Sequence, residues 1–130
     1  MTIIRFPYLR WEETLQPIIA MGVNLENNWR RVNVYVDSGS EYTILHAKIA
    51  ERVGFDCHTR DRISLQVGDG GLLQLYLHEL EVQLGRERFR CPVGFSSRLG
   101  VKFNVLGKRG IFDRFKICFQ QDPGLLTFES

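Results

Sequence analysis

The stretch Val34-Tyr35-Val36-Asp37-Ser38-Gly39-Ser40 limits what this chain can fold into more than any other. Val32, Val34 and Val36 alternate with other side chains at the period of a half-buried strand. β-Branched residues suit such a pleated surface, and Gly39 permits the turn that ends it. An acidic group therefore stands at the lip of a rigid sheet with little bulk around it. Asp-Ser-Gly also marks ordinary turns, so the rest of the chain must decide between a turn and a site.

Strand signals fill most of the remainder. Pro17 introduces Ile18 to Leu25, and Glu26-Asn27-Asn28 turns that run into a hairpin that delivers Asp37. Tyr42 to Leu45 reads as extended. His46 to Val53 carries Ala47, Ala50 and Val53 on one helical face, with Gly54 as its stop. Arg62 to Val67 leads into Gly68-Asp69-Gly70-Gly71. Beyond it, Leu73, Leu75 and Leu77 hold one parity, whereas Leu80, Val82 and Leu84 hold the other. A β-bulge or bend at His78-Glu79 is expected to reconcile them, with His78 part of it. Phe89, Cys91, Val93 and Phe95 alternate cleanly, leaving Arg86, Arg88 and Arg90 on a wet face. Residues 96–102 read as a surface loop, Phe103 to Leu106 as a second central strand and Arg109 to Phe115 as a short helix. Lys116 to Phe119 and Leu125 to Phe128 are late strands around a Gln-Asp-Pro-Gly turn. Residues 1–6 suit a strand, after which Pro7 and the polar stretch Trp11 to Gln16 interrupt. With no repeat or linker, residues 1–130 are expected to form one all-β domain, a barrel with one or two short helices.

Hydrophobic residues at 44%, charged residues at 25% and a net charge of +2 describe an ordinary globule, too weakly basic to imply a nucleic-acid partner. No apolar run approaches the roughly 20 residues of a membrane span, and the first residues lack a signal peptide's apolar segment. Cys57, Cys91 and Cys118 are odd in number and lack metal-like spacing. Cys91 and Cys118 are expected as buried free thiols. Cys57 and His58, taken as strand neighbours, would point to opposite faces and form no dyad. A reducing, cytoplasmic home is expected, without metal, cofactor or membrane. There is no phosphate loop and no Ser-His-Asp set.

Asp37-Ser38-Gly39-Ser40, Gly68-Asp69-Gly70-Gly71 and Val105-Leu106-Gly107 occur in that order. On these motifs the chain resembles the retropepsin-like aspartic proteases, the single-domain relatives of the retroviral proteases, over residues 18–119. Gly110-Ile111-Phe112-Asp113-Arg114-Phe115 is also similar to the corresponding region of prokaryotic members. The pattern departs at Lys108, where the family has arginine, and at Asp69, where the retroviral proteins have an apolar residue.

The resemblance implies a closed acid-protease-like barrel acting as a symmetric homodimer on polypeptide substrates. Like charges about 3 Å apart cannot both ionise, so two facing carboxylates share a proton and activate a water between them. This chain carries one Asp-Ser-Gly, so each of two chains would give Asp37 as its catalytic group. Ser38 would bond across the dimer axis, and Gly39 and Ser40 would present backbone groups to the substrate. Gly68, Asp69, Gly70 and Gly71 would form a flap, although the same residues also make a plain hairpin connection. Gly107 would leave room beneath the catalytic loop, and Glu41 would pair with Lys108 beside it. The apolar terminal stretches Ile3-Ile4 and Leu125-Leu126 would add edge strands across the interface. The alternative is the same barrel binding an extended peptide or protein without cutting it.

Overall fold

The computed structural model describes residues 1–59, 61–66, 70–98 and 103–130. In chain order its elements are β1 (Ile3–Pro7), β2 (Leu9–Trp11), β3 (Thr14–Gln16), β4 (Ile18–Leu25), β5 (Asn28–Val36) and β6 (Thr43–His46). There follow α1 (Ala47–Glu51), a 3-10 turn over Cys57–Thr59, β7 (Arg62–Gln66), β8 (Leu72–Leu84) and β9 (Glu87–Ser96). The last are β10 (Asn104–Leu106), β11 (Lys116–Gln120) and β12 (Leu125–Glu129).

β4 and β5 form the expected hairpin, with Glu26 and Asn27 at φ 51° and 69° in a two-residue turn. Such a turn matches the right-handed twist of its strands. Six strands then close on themselves in the order β4-β5-β10-β6-β9-β8, because β8 pairs with both β9 and β4. Closure leaves no bare edge around the barrel. Its interior holds Met21, Val23 and Leu25 from β4, Val32, Val34 and Val36 from β5, and Leu80, Val82 and Leu84 from β8.

The expected bulge at His78-Glu79 is absent. β8 pairs with β9 in unbroken register from Tyr76 opposite Phe95 to Leu84 opposite Glu87. The two leucine parities survive because each is covered on a different face. Leu80, Val82 and Leu84 fill the barrel, whereas Leu75 belongs to a second apolar cluster with Ile44 and Val105 outside it. His78 is a core residue, between the rings of Phe55 and Phe95, with Nε2 2.7 Å from the Cys57 carbonyl oxygen.

Both terminal strands belong to this chain's own third sheet, ordered β1-β12-β11. The expectation of an edge strand at Leu125-Leu126 is thereby corrected, whereas β1 with Ile3-Ile4 does lie at an edge of this sheet. β12 lies in the middle, Leu126 and Phe128 are fully buried, and the Phe128 ring meets Phe6 at 5.2 Å and Phe115 at 5.7 Å. The stretch read as an interruption is the small hairpin β2–β3, turned by Glu12 and Glu13 at φ 47° and 69°.

Three further readings change. The helix expected over 109–115 is an irregular turn at Lys108–Phe112, broken where Arg109 is extended and Gly110 has φ 83°. Cys118 is exposed, because β11 is an edge strand of a sheet covered on one face. Cys57 lies in a 3-10 turn rather than a strand, with Sγ 3.8 Å from His58 Nδ1. Burial first, then nearby Glu51 and Asp56, raises the Cys57 thiol pKa, so proximity to the imidazole makes no thiolate.

Candidate active site

β5 carries Asp37 to the rim beside β10. The two strands are parallel, with Leu106 opposite Val36, and the Asp37 N–H donates to the Leu106 carbonyl at 3.0 Å. The chain then turns on itself. The Ser40 N–H donates to the Asp37 carbonyl at 3.2 Å, and the Gly39 N–H donates to Asp37 Oδ1 at 2.8 Å. A Cβ at Gly39 would stand 3.2 Å from that same oxygen. The half-buried carboxylate is thus oriented by its own loop, while Ser38 and Gly39 are exposed at the tip.

A second loop clamps the first from beneath. The Lys108 N–H donates to the Ser40 carbonyl at 2.8 Å, and the Arg109 N–H donates to the Glu41 carbonyl at 2.9 Å. Gly107 donates its N–H to Thr43 Oγ1 at 3.1 Å, and the Ser40 hydroxyl donates to the Tyr42 carbonyl at 2.7 Å. Gly107 has φ −111°, which any residue tolerates, so the demand here is space. A Cβ would fall on the Tyr42 carbonyl group and 2.8 Å from the Ser40 oxygen.

Glu41 is ion-paired, but with a different cation from the one expected. Arg109 Nε lies 2.8 Å from Glu41 Oε1, and its guanidinium covers the Tyr42 ring at 5.2 Å. The hydrogen bond that Arg109 donates to Glu41 raises the guanidinium pKa further. The backbone bond between Arg109 and Glu41 sets this partner, because it places the side chain after Lys108 beside the carboxylate. The arginine missing at 108 is present one position later, a signal available in Lys108-Arg109 itself.

The most informative feature is which face Asp37 shares. Val34 and Val36 point into the barrel, so Tyr35 and Asp37 point out of it. On that outer face lies the second cluster, Ile44, Leu75 and Val105, with half-buried Tyr35, Tyr42, Ile63, Leu65 and Leu73 packed on it. An apolar floor thus runs from the signature strand to the β7–β8 hairpin. Gly94 belongs to that floor, since Leu75 would stand 3.1 Å from any Cβ there. Of the expected flap, Gly68 and Asp69 lie outside the described residues, as does Val67. Gly70 is exposed with φ 86°, and Leu72 beyond Gly71 is 73% exposed. A separate depression of about 570 Å³ lies behind Arg109 among Glu79, Arg90, Asp113 and Arg114. Its lining is mostly charged, unlike the apolar floor beside Asp37.

A closed barrel whose two parallel central strands end in Asp-Ser-Gly and in a glycine clamp defines the acid-protease class of fold. Solved structures agree. A retropepsin-like aspartic protease from Rickettsia conorii superposes with TM-score 0.65 at 19% identity, over 98% of each chain. The EIAV protease complexed with the inhibitor HBY-793 superposes with TM-score 0.53 at 13% identity, over 77% of this chain and 88% of that one. No protein-family model matches the sequence, and no curated protein matches it. The chain has the retropepsin-like fold.

Proposed function

We propose that the chain is an aspartic endopeptidase of retropepsin type, cutting peptide bonds in extended polypeptides as a homodimer. The observation that carries this reading is the Asp37 carboxylate, fixed by the Gly39 N–H, on the same face as the apolar floor. Two such carboxylates brought together would share one proton. The ionised one takes a proton from the water between them, and the protonated one donates to the scissile carbonyl. One Asp-Ser-Gly per chain makes the second chain a chemical requirement.

The supporting roles follow. Ser38, exposed at the loop tip, is assigned the contact across the axis. The Ser40 N–H and carbonyl are already bonded within the chain, so the Gly39 carbonyl is the better backbone acceptor for substrate. Residues 68–71 are assigned the flap, under which a peptide would lie as an added strand. Glu41 and Arg109 hold the loop that grips it. Three free cysteines suit work in the reducing cytoplasm, and no helix among the described residues is long and apolar enough to cross a membrane.

One observation favours the alternative, a peptide-binding module without catalysis. The last strand, β12, is paired on both sides within the chain and so needs no partner's strand. Incubation with a mixed peptide library at several acidic pH values, comparing wild type with Asp37→Ala, decides between them. Cleavage lost in the variant supports the endopeptidase, and binding without cleavage in wild type supports the module.

A further inference from the structure

The depression behind Arg109 has two walls, and the fold fixes both. One is the outer face of β8 and β9. Phe89, Cys91 and Val93 turn inward, so Arg90 and Pro92 face outward, and the register sets Glu79 opposite Pro92. The other wall is the irregular turn at Lys108–Phe112 and the residues just after it. Buried Ile111 and Phe115 anchor that turn, and Gly110 is pressed onto β9. A Cβ at Gly110 would stand 2.8 Å from Cys91 Sγ and 2.9 Å from Pro92 Cδ. The space between the walls, about 570 Å³, lies within the range of small-molecule sites.

Arg90, Arg109 and Arg114 line this space, and each guanidinium is held by one contact. Arg90 Nη2 donates to the Glu79 carbonyl at 2.6 Å, and Arg109 Nε donates to Glu41 Oε1 at 2.8 Å. The Arg114 guanidinium lies over the Phe89 ring, 4.4 Å from its centroid. A guanidinium carries five N–H donors, so one contact orients it without using it up. The carboxylates of the lining leave those donors unclaimed. Asp113 is turned back on its own loop, where Oδ2 accepts the Gly110 N–H at 3.0 Å, and Glu79 is exposed on the rim. Among the described residues, no ion pair joins either carboxylate to the three arginines. Three forks suit an anion with three acceptor oxygens better than a carboxylate with two. A bare phosphate would leave much of the volume unfilled and the two carboxylates without donors.

We propose that this depression binds a small phosphate monoester, its phosphate held by Arg90, Arg109 and Arg114 and its hydroxyl or amino donors by Glu79 and Asp113. Apart from Pro92 and Gly110 the lining is charged, which suits a polar guest rather than an apolar one. The site is separate from Asp37 and from the apolar floor, so it stands whether or not the chain cuts peptides. It is joined to the Asp37 loop through Arg109, whose backbone N–H and Nε both bond Glu41.

Calorimetric titration with glycerol 3-phosphate, inorganic phosphate and glycerol tests the site at about pH 7.5, where a phosphate monoester is mostly a dianion. The expected order of affinity is glycerol 3-phosphate, then inorganic phosphate, with glycerol not bound. Arg90→Gln and Arg114→Gln change exposed side chains and should each lower the ester's affinity about tenfold, the worth of one charged hydrogen bond. Arg114→Lys should recover part of that loss, since it keeps the charge without the fork. Glu79→Ala should narrow the ester's advantage over inorganic phosphate, because it removes an acceptor for the ester's hydroxyls. Arg31→Gln, on β5 and outside the depression, should leave the affinity unchanged. An equal loss in Arg31→Gln and in the two site variants would reduce the effect to general charge and overturn the site. No binding of the ester at millimolar concentration, or inorganic phosphate bound as tightly as the ester, would overturn it too.

Discussion

Replacing Gly107 by alanine should damage the site more than its single methyl group suggests. The glycine is not needed for its dihedrals, since φ is −111°. It is needed because a Cβ would overlap the Tyr42 carbonyl group and crowd the Ser40 oxygen at 2.8 Å. These are backbone atoms of the loop that carries Asp37, so relief must come from separating the two loops. That separation strains the hydrogen bonds from Gly107 to Thr43, from Lys108 to Ser40 and from Arg109 to Glu41. At about 1 kcal/mol net for each bond, the expected loss is about 2–4 kcal/mol, a large part of a small domain's stability. Gly54→Ala is the matched control. Gly54 has φ 74° and nothing within 4 Å of a new Cβ, so its cost is backbone conformation alone, about 1 kcal/mol. Urea unfolding of the two variants measures the difference through the midpoint at constant slope. A Gly107→Ala loss no larger than that of Gly54→Ala would refute the clamp.

The other expected outcomes concern separate parts of the molecule. Phe128→Ala should cost about 3–5 kcal/mol whatever the protein concentration, because Phe128 is fully buried in the chain's own terminal sheet. A loss of stability that vanishes as the protein is concentrated would instead place that strand in an interface. Arg109→Met should lower peptide turnover more than Lys108→Met, since Arg109 is the partner of Glu41; equal effects on turnover would count against that assignment. Iodoacetamide at pH 8 should label Cys118 in the native protein well before Cys57 and Cys91, as mass spectrometry can follow. Burial pushes the Cys91 thiol from 9.0 up to about 12, helped by Glu79 and Asp113. Unfolding therefore releases its proton between those values, and this part of the stability falls as pH rises from 9.0 to about 12.

Local alternation was enough to read much of the barrel. Val32, Val34 and Val36 point inward as their spacing requires, and the hairpin from Ile18 to Val36 delivers Asp37. Gly107 was legible as a close approach. What escaped the sequence depends on which distant surface covers a residue. The leucines of β8 change parity without a bulge because an apolar cluster outside the barrel covers one set. The β2–β3 hairpin turns on Glu12 and Glu13 at positive φ, where Gly or Asn would have signalled it. Ile3–Pro7 finds its partner across almost the whole chain, and no local pattern distinguishes that strand from one in a second molecule. Position relative to the glycine points to Lys108, whereas the backbone bond to Glu41 determines that the Arg109 side chain reaches it.

The most direct test of the central claim is the dependence of peptidase rate on chain concentration, with and without excess Asp37→Asn chains. If each active site needs one Asp37 from each of two chains, specific activity falls on dilution, and the rate approaches the square of chain concentration below the dimer dissociation constant. Added Asp37→Asn chains then suppress wild type by forming mixed dimers with one ionisable carboxylate. A rate linear in chain concentration down to the lowest measurable dilution, unaffected by a large excess of Asp37→Asn, would contradict the account.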